Sequence, residues 1–218
     1  MQVFCFTFNP FEENTYVLVN KDKECVIIDP GCYTVREEIQ LSSFIEREGL
    51  KVVKLLNTHG HIDHIFGNQY VVSRYKVPFI THHKVVPELK AAEQYGKVFM
   101  GLDLVPSPMP DEFVEEGDII RFGEEELEVL FTPGHSAGHI SFYHRASQQL
   151  FSGDVLFLGS IGRTDLPGGS YPVLMKTIVE KVLPLGDGVR VYPGHGSTTV
   201  LGDERQVNPF IVDYLLGD

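Results

Sequence analysis

Four side chains that commonly bind metal ions lie within six residues of one another, directly after an apolar segment. The segment is Val52 to Leu56, and the side chains are those of His59, His61, Asp63 and His64. Three imidazoles and a carboxylate this crowded are unfavourable unless a cation holds them or each finds its own hydrogen-bond partner. In an extended chain positions i and i+2 face the same way, so the first two histidines can bind one ion, while the last two residues turn toward a second point as a helix begins. The pattern predicts a metal loop (His59 to His64) at a strand end, with a plain polar loop tip as the alternative.

Three further candidate ligands lie downstream in similar places. They are His135 in a Pro-Gly-His triplet, Asp154 in Ser-Gly-Asp, and His195 in Pro-Gly-His-Gly. Each follows an apolar, β-rich stretch and stands next to a glycine, where a tight turn can aim the side chain into a shared cleft. A site for two ions needs about seven protein ligands plus water. The metal loop and these three residues supply that number.

This ordered set of motifs resembles that of the metallo-β-lactamase fold superfamily, and most closely its glyoxalase II (hydroxyacylglutathione hydrolase) branch. The resemblance extends from about residue 14 to residue 211. It implies an α/β fold, the four-layer αββα sandwich. It also implies a ligand set in which His59, His61 and His135 hold the first ion, Asp63, His64 and His195 hold the second, and Asp154 bridges both. Asp29 would stand behind the ligands and orient one of them; the alternative is an Asp that only starts a Pro-Gly turn.

The pattern of apolar residues predicts strands followed by helices, twice along the chain. The predicted strands are Val3 to Phe8, Tyr16 to Val19, Glu24 to Ile28, Val52 to Leu56, Phe79 to Ile80, Leu127 to Phe131, Ile140 to His144, Gln149 to Phe151 and Val189 to Tyr192. A helix is predicted between the capping box Thr34-x-x-Glu37 and Gly49, a second from Asn68 to Tyr75, and a third that begins at Ser170 and Pro172. With 218 residues and no linker, the chain is interpreted as a single domain over residues 1–218.

Composition and charge limit the classes of partner. The formal net charge is −12, which argues against nucleic-acid binding. The N-terminal residues have no basic start and no uninterrupted apolar run, and no segment is long enough to cross a bilayer, so neither a signal peptide nor a membrane partner is expected. Three widely spaced cysteines make a disulfide framework improbable and favour a reducing cytoplasm. The sequence gives no indication of the oligomeric state.

The stretch from Gly159 to Gly169 is the candidate substrate loop. Within it Arg163 stands where glyoxalase II-like sequences carry a basic residue for the glutathione part of the substrate, and a guanidinium is suited to binding a carboxylate in two places. The alternative is an ion pair with Asp165 inside the loop. The chain ends at Asp218 without the additional C-terminal helical domain of longer glyoxalase II members, so a short, single-domain, glyoxalase II-like branch is expected.

The expected function is metal-dependent hydrolysis of small acyl thioesters such as S-lactoylglutathione. A hydroxide bridging two divalent ions would attack the carbonyl carbon, and Asp63 would help to orient it. Zinc is the expected metal, with iron or manganese as alternatives. Two other functions stay open: a persulfide (sulfur) dioxygenase of the same superfamily with a single iron on His59, His135 and Asp154, and a non-catalytic metal-binding module.

Overall fold

A computed structural model describes residues 1–101 and 104–217 of the chain. By their contacts the residues fall into two compact units. The first comprises Met1–Val114 with Arg121–Glu126, and the second comprises Glu115–Ile120 with Leu127–Asp218. The interpretation of residues 1–218 as one domain stays a prediction.

The chain alternates strands and helices. The strands are β1 (Gln2–Phe8), β2 (Glu13–Val19), β3 (Glu24–Ile28), β4 (Lys51–Leu56), β5 (Phe79–Thr81), β6 (Glu112–Phe113), β7 (Ile119–Phe122), β8 (Glu125–Phe131), β9 (Ile140–His144), β10 (Gln149–Gly153), β11 (Leu156–Phe157), β12 (Ser160–Ile161), β13 (Arg190–Pro193) and β14 (Thr199–Val200). The α-helices are α1 (Val35–Glu48), α2 (Ile62–Ile65), α3 (Asn68–Tyr75), α4 (Val86–Tyr95), α5 (Tyr171–Thr177), α6 (Leu201–Val207) and α7 (Pro209–Leu216). Each strand predicted from the sequence coincides with an observed strand to within three residues at its ends, the largest difference being the start of β2.

The first sheet brings two polar residues together at the end of neighbouring strands. Its order is β1-β2-β3-β4-β5-β6, antiparallel for the first two pairings and parallel for the rest. Ile28 at the end of β3 pairs with Leu56 at the end of β4. Because parallel strands end at the same edge, Asp29 and Asn57 emerge side by side, and the metal loop follows directly.

Helix α1 begins and ends as the sequence predicts. The Thr34 hydroxyl accepts a hydrogen bond from the Glu37 N–H at 3.3 Å, and the Glu37 carboxylate accepts one from the Thr34 N–H at 2.8 Å. At the other end Gly49 adopts a left-handed conformation, with φ of 64°, which a residue without Cβ adopts at little cost. Both the predicted capping box and the predicted stop are confirmed.

The second sheet has the order β14-β13-β10-β9-β8-β7. Its β10 and β13 are parallel, and their last residues, Gly153 and Pro193, are paired. Asp154 and His195 therefore follow two neighbouring strand ends. The candidate ligands of the second unit lie at an edge of a sheet, as those of the first unit do.

The third predicted helix is less regular than its sequence suggests. Leu174, Ile178 and Val182 recur every four residues, and all three side chains are buried. The α-helical part ends at Thr177, however, and a π-helical turn covers Ile178–Val182. All three residues belong to the apolar core of the second unit. Their side chains are therefore buried together although the helix changes from α to π type between Leu174 and Val182.

Each unit has its own apolar core. In the first unit α1 and α3 pack against the sheet through residues such as Leu41, Phe44 and Val71, and in the second unit α5 and the turn after it supply a similar layer. Among the helices that the described residues form, none combines the length and apolar character needed to cross a bilayer.

Candidate metal centre

The metal loop crowds its imidazole rings as the sequence predicts. The ring centroid of His59 lies 4.6 Å from that of His61 and 4.2 Å from that of His64. His59 and His64 are completely buried, whereas His61 and Asp63 are half-buried. The loop leads into α2, with His61 as the residue that precedes the helix and Asp63 in its first turn. The first unit thus brings together the four ligands predicted from it.

Two of these histidines have rings oriented through Nδ1. The Nδ1 of His59 lies 2.9 Å from the Thr58 hydroxyl, and the Nδ1 of His64 lies 3.1 Å from Oδ2 of Asp29. With Nδ1 engaged in this way, Nε2 is the ring nitrogen that can bind an ion. The Nε2 of His64 lies 3.7 Å from Oδ2 of Asp63. This separation is longer than a hydrogen bond and close to the ~3.3–3.4 Å between two ligand atoms placed 2.0–2.1 Å from one tetrahedral ion.

Asp29 lies behind the metal loop and accepts hydrogen bonds on both carboxylate oxygens. Its Oδ1 accepts from the Asn57 amide at 3.1 Å and from the Thr58 N–H at 2.8 Å. Its Oδ2 accepts from the Thr58 hydroxyl at 2.6 Å and faces Nδ1 of His64. Asp29 has a φ of 47°, a left-handed conformation that aspartate and asparagine adopt more readily than most residues. The geometry is that expected of a residue that orients a ligand, and this role stays a prediction.

In the second unit one carboxylate oxygen faces two imidazoles. Oδ2 of Asp154 lies 3.4 Å from Nε2 of His135 and 3.5 Å from Nε2 of His195. Both separations again match those between ligands of a common ion. The Nδ1 of His135 lies 2.7 Å from the carbonyl oxygen of Arg163, which makes Nε2 the metal-binding nitrogen of this ring as well. The three ligands predicted downstream are therefore neighbours, and a carboxylate so placed can bind two ions at once.

The glycines beside these ligands are required by close backbone packing. Gly134 has a φ of 133°, and a Cβ there would lie 2.3 Å from the Cα of Leu174. A Cβ on Gly162 would lie 1.9 Å from the carbonyl oxygen of Asp154 and 3.3 Å from the Cβ of His135. Gly134, next to His135, thus lets α5 approach closely, and Gly162 lets the substrate loop approach Asp154 and His135.

His139 fixes the backbone of Asp154 through a directional hydrogen-bond relay. Its Nε2 accepts the Asp154 N–H at 3.1 Å, so its proton is on Nδ1 and is donated to the Thr132 hydroxyl at 2.9 Å. The Thr132 hydroxyl then donates to Ser141 at 2.8 Å, and Ser141 donates to the Ser152 carbonyl at 3.2 Å. All these side chains are buried.

Arg163 and Asp165 form the ion pair that the sequence offered as an alternative. The guanidinium Nε and Nη2 each lie 2.7 Å from an oxygen of Asp165. The guanidinium holds the pKa of this carboxyl down at about 2, against an ordinary value of 3.8. Both side chains are exposed, so binding of a substrate carboxylate by Arg163 stays a prediction.

Glu13 is a buried carboxyl near the metal loop that the sequence analysis did not identify. Its Oε2 accepts the Thr15 hydroxyl at 3.0 Å, and its Oε1 lies 3.9 Å from Nδ1 of His64. Burial raises the pKa of Glu13 well above its ordinary value and so favours the neutral acid. The signal in the sequence was an acidic residue at the start of strand β2, whose later residues, Tyr16 to Val19, are apolar. Thr58 and Thr132 were missed in the same way, although each is a polar residue shortly after a strand and before a candidate ligand.

The donor set of each unit fits divalent metal ions. Imidazole nitrogens and carboxylate oxygens are common ligands of zinc and of iron in proteins. His59, His64 and His135 each have Nδ1 oriented by an oxygen atom, which leaves Nε2 to bind the ion. The ring of His195 has its Nε2 directed at Oδ2 of Asp154.

Comparisons with known proteins agree with this donor chemistry. Residues 9–195 match the metallo-β-lactamase superfamily. GloC, a hydroxyacylglutathione hydrolase of Haemophilus influenzae, is 36% identical to this chain over 221 residues, with 97% of this chain and 98% of that protein covered. The B3 metallo-β-lactamase BLEG-1 superimposes with a TM-score of 0.89 at 36% identity, over 96% of this chain and 99% of its own. TTHA1623, solved in a di-iron-bound form, superimposes with a TM-score of 0.85 at 36% identity, over 95% and 100%. These likenesses confirm the α/β fold class predicted from the sequence.

Proposed function

The chain belongs to the metallo-β-lactamase superfamily, and on that premise we propose that it is a metal-dependent hydrolase of small acyl thioesters, with S-lactoylglutathione as the type of substrate. The observation that carries the proposal is the carboxylate oxygen of Asp154 facing Nε2 of both His135 and His195. A carboxylate between two imidazoles is the arrangement a two-ion hydrolytic centre needs.

The proposed centre takes ligands from both halves of the sequence. His59, His61 and His135 would hold the first ion, Asp63, His64 and His195 the second, and Asp154 both. Members of the superfamily bind divalent metals. We propose zinc for both positions, with iron as the principal alternative because the similar protein TTHA1623 was solved with two irons. When bound, such ions act as Lewis acids and lower the pKa of a bound water to about 7.

The chain's own residues would orient the ligands and the substrate. Asp29, Thr58 and the carbonyl of Arg163 fix the rings of His64, His59 and His135 through Nδ1. Asp63, half-buried at the start of α2, can bind an ion through one oxygen and hold the attacking water with the other. The exposed guanidinium of Arg163 is suited to a substrate carboxylate, which would then replace Asp165 as its partner.

Two similar proteins point to different substrates, and the chemistry of the leaving group favours one of them. GloC acts on a hydroxyacylglutathione, whereas BLEG-1 is a β-lactamase, and both are 36% identical to this chain. A thiol has a pKa of about 8.5, so a thiolate departs near neutral pH without a proton. The nitrogen of an opened lactam needs a proton donor as it departs. A centre built from metal ligands and one carboxylate helper is therefore better suited to thioesters.

We further propose that the substrate is a small molecule of the cytoplasm. The net charge of −12 is unfavourable for nucleic acid and for anionic membranes. Two divalent ions would offset four of those negative charges.

The test combines metal analysis with a substrate panel. We expect about two metal ions per chain and thiol release from S-lactoylglutathione at least ~100-fold faster than cleavage of a β-lactam, where 100-fold corresponds to about 2.7 kcal/mol between the barriers. Comparable rates on both substrates would count against the glyoxalase II-like branch. One iron per chain with oxygen consumed on glutathione persulfide would identify a dioxygenase.

A substitution in the metal loop tests whether the protein is catalytic at all. Asp63→Ala should abolish turnover, while Asp165→Ala, which removes an exposed carboxylate of the substrate loop, should keep turnover within about threefold. A wild-type protein that binds metal but turns over none of these substrates would be a binding module rather than a hydrolase, and unchanged turnover in Asp63→Ala would contradict the role proposed for Asp63.

A further inference from the structure

The peptide between the first two histidines of the metal loop is held by a side chain from another helix. The N–H of Gly60 donates a hydrogen bond to Oε2 of Glu88 at 2.9 Å. Glu88 lies in the first turn of α4, 28 positions further along the chain. Its carboxylate is half-buried and is thus less well solvated than an exposed one.

Helix α4 packs directly against this peptide. A Cβ on Gly60 would lie 2.7 Å from the Cβ of Glu88 and 3.0 Å from Cγ1 of Val85. Only a glycine leaves room for the start of the helix at this point. The steric contact and the hydrogen bond are independent observations, and both locate the first turn of α4 against the peptide that joins His59 to His61.

The orientation of this peptide governs both neighbouring ligands. The plane of the Gly60 amide is rigid, so a rotation of it changes the direction of the chain on either side and with it the positions of the two imidazoles. His59 is fully buried and oriented by Thr58, whereas His61 is half-buried and precedes α2 without a side-chain cap. A rotation of this peptide would therefore move both the buried ring and the half-buried one.

We propose that Glu88 is a positioning residue for the metal centre, which fixes the Gly60 peptide and so sets the affinity for the ion that His59 and His61 share. The proposal rests on the metal-binding role proposed above. The carboxylate contributes in two ways: it accepts the N–H, with the strength of a charge-assisted hydrogen bond, and its negative charge favours a cation nearby. Partners of this kind change metal affinity by about 10–100-fold when they are removed.

Two substitutions separate these contributions, and a third serves as a control. Glu88→Ala removes the acceptor and the charge, whereas Glu88→Gln keeps an acceptor oxygen and removes only the charge. Glu93→Ala removes an exposed carboxylate from the same helix. Dissociation constants for Zn²⁺ would be measured on the full chain by competition with a chromophoric chelator, and the coordination of each site would be read from the absorption spectrum of Co²⁺.

Glu88→Ala should raise the dissociation constant of one of the two Zn²⁺ ions about 10–100-fold and should alter one part of the Co²⁺ absorption spectrum. Glu88→Gln should raise the dissociation constant of the same ion by a smaller factor, and Glu93→Ala should bind both ions with the affinities of the wild type. Wild-type affinity for both ions in Glu88→Ala would overturn the proposal, as would equal losses in Glu88→Ala and Glu93→Ala. If Glu88→Ala does not fold, Glu88→Gln decides: unchanged affinities and an unchanged Co²⁺ spectrum would overturn it.

These measurements need no substrate, so they remain distinct from the test of function. A wild-type protein that binds two ions but cleaves no thioester would contradict the proposed substrate and leave the role of Glu88 standing. A wild-type protein that binds no ion would overturn both.

Discussion

Replacing Asp29 with asparagine should reverse the hydrogen-bonding role of His64. Oδ1 of Asp29 faces two fixed donors, the Asn57 amide and the Thr58 N–H, so the amide oxygen of the new asparagine should take that position. Its NH₂ group then faces Nδ1 of His64, which must become the acceptor and carry its proton on Nε2 instead. A protonated Nε2 cannot bind a metal ion.

The expected size of the effect is worked from the exchange at His64; the new NH₂ group also faces the Thr58 hydroxyl, which donates to Oδ2 in the wild type, and this adds to the loss. Binding an ion would require His64 to move its proton back to Nδ1, which would then face an NH₂ donor and lose a buried hydrogen bond worth about 1–3 kcal/mol. This agrees with the 10–100-fold loss of affinity, about 1.4–2.7 kcal/mol, typical when the partner of a metal-bound histidine is changed. The backbone should be unaffected, because asparagine also tolerates the φ of 47° at this position.

Two measurements check the reasoning. Chelator competition should show that Asp29→Asn lowers the affinity for one metal ion about 10–100-fold. ¹⁵N NMR of the metal-free protein should show the His64 proton on Nε2. Asp165→Asn is the matched control, since it changes an exposed aspartate of the same chain and should leave both readouts unchanged. Wild-type affinities in Asp29→Asn, or a His64 proton that stays on Nδ1, would refute the argument.

Three further predictions concern other parts of the molecule. Removing the metal with a chelator should abolish turnover and lower the unfolding temperature, because ions bind the folded chain in preference to the unfolded one; calorimetry with and without added Zn²⁺ checks this, and an unchanged unfolding temperature would count against a resident metal. Arg163→Ala should raise KM for carboxylate-bearing thioesters with little change in kcat, and should raise the pKa of Asp165 from about 2 toward 3.8, so that its charge is lost at higher pH in an NMR titration. Thr132→Val should destabilise the fold by about 1–3 kcal/mol, because it removes the hydroxyl that accepts the Nδ1 proton of His139; denaturant unfolding measures the loss, and a change below about 0.5 kcal/mol would contradict the relay.

Local chemistry made some elements predictable from the sequence. The capping box at Thr34 and Glu37 and the stop at Gly49 depend on residues within one helix, and they were found where predicted. The downstream ligand loops were predictable because each of the three candidate ligands, His135, Asp154 and His195, follows an apolar strand and lies beside a glycine. That pattern reflects the strand end and, at Gly134, the close packing of the backbone.

Other features depend on contacts between distant parts of the chain and could not be read locally. Strand β12 was interpreted only as part of the candidate substrate loop, and its pairing with β11 was not predicted. The Gly159 N–H donates to Glu204 at 2.9 Å, across 45 positions, and the same carboxylate accepts from Thr199 and Asn208. The change from α-helix to π-helix at Ile178 was not predictable either. The spacing of the apolar residues indicates a helix but not its type, which depends on packing against the rest of the core.

The relay through His139 starts and ends within three residues of the chain, because it begins at the Asp154 N–H and returns to the Ser152 carbonyl. Three side chains therefore close a ring of hydrogen bonds with the turn that carries Asp154: those of His139, Thr132 and Ser141. Such a ring has only one consistent set of proton positions, so the turn is already shaped before any ion arrives. Uptake of metal by this half of the centre should then be quick and should require little rearrangement of the backbone, and the geometry offered to the ion is set by the sheet rather than by the ion itself.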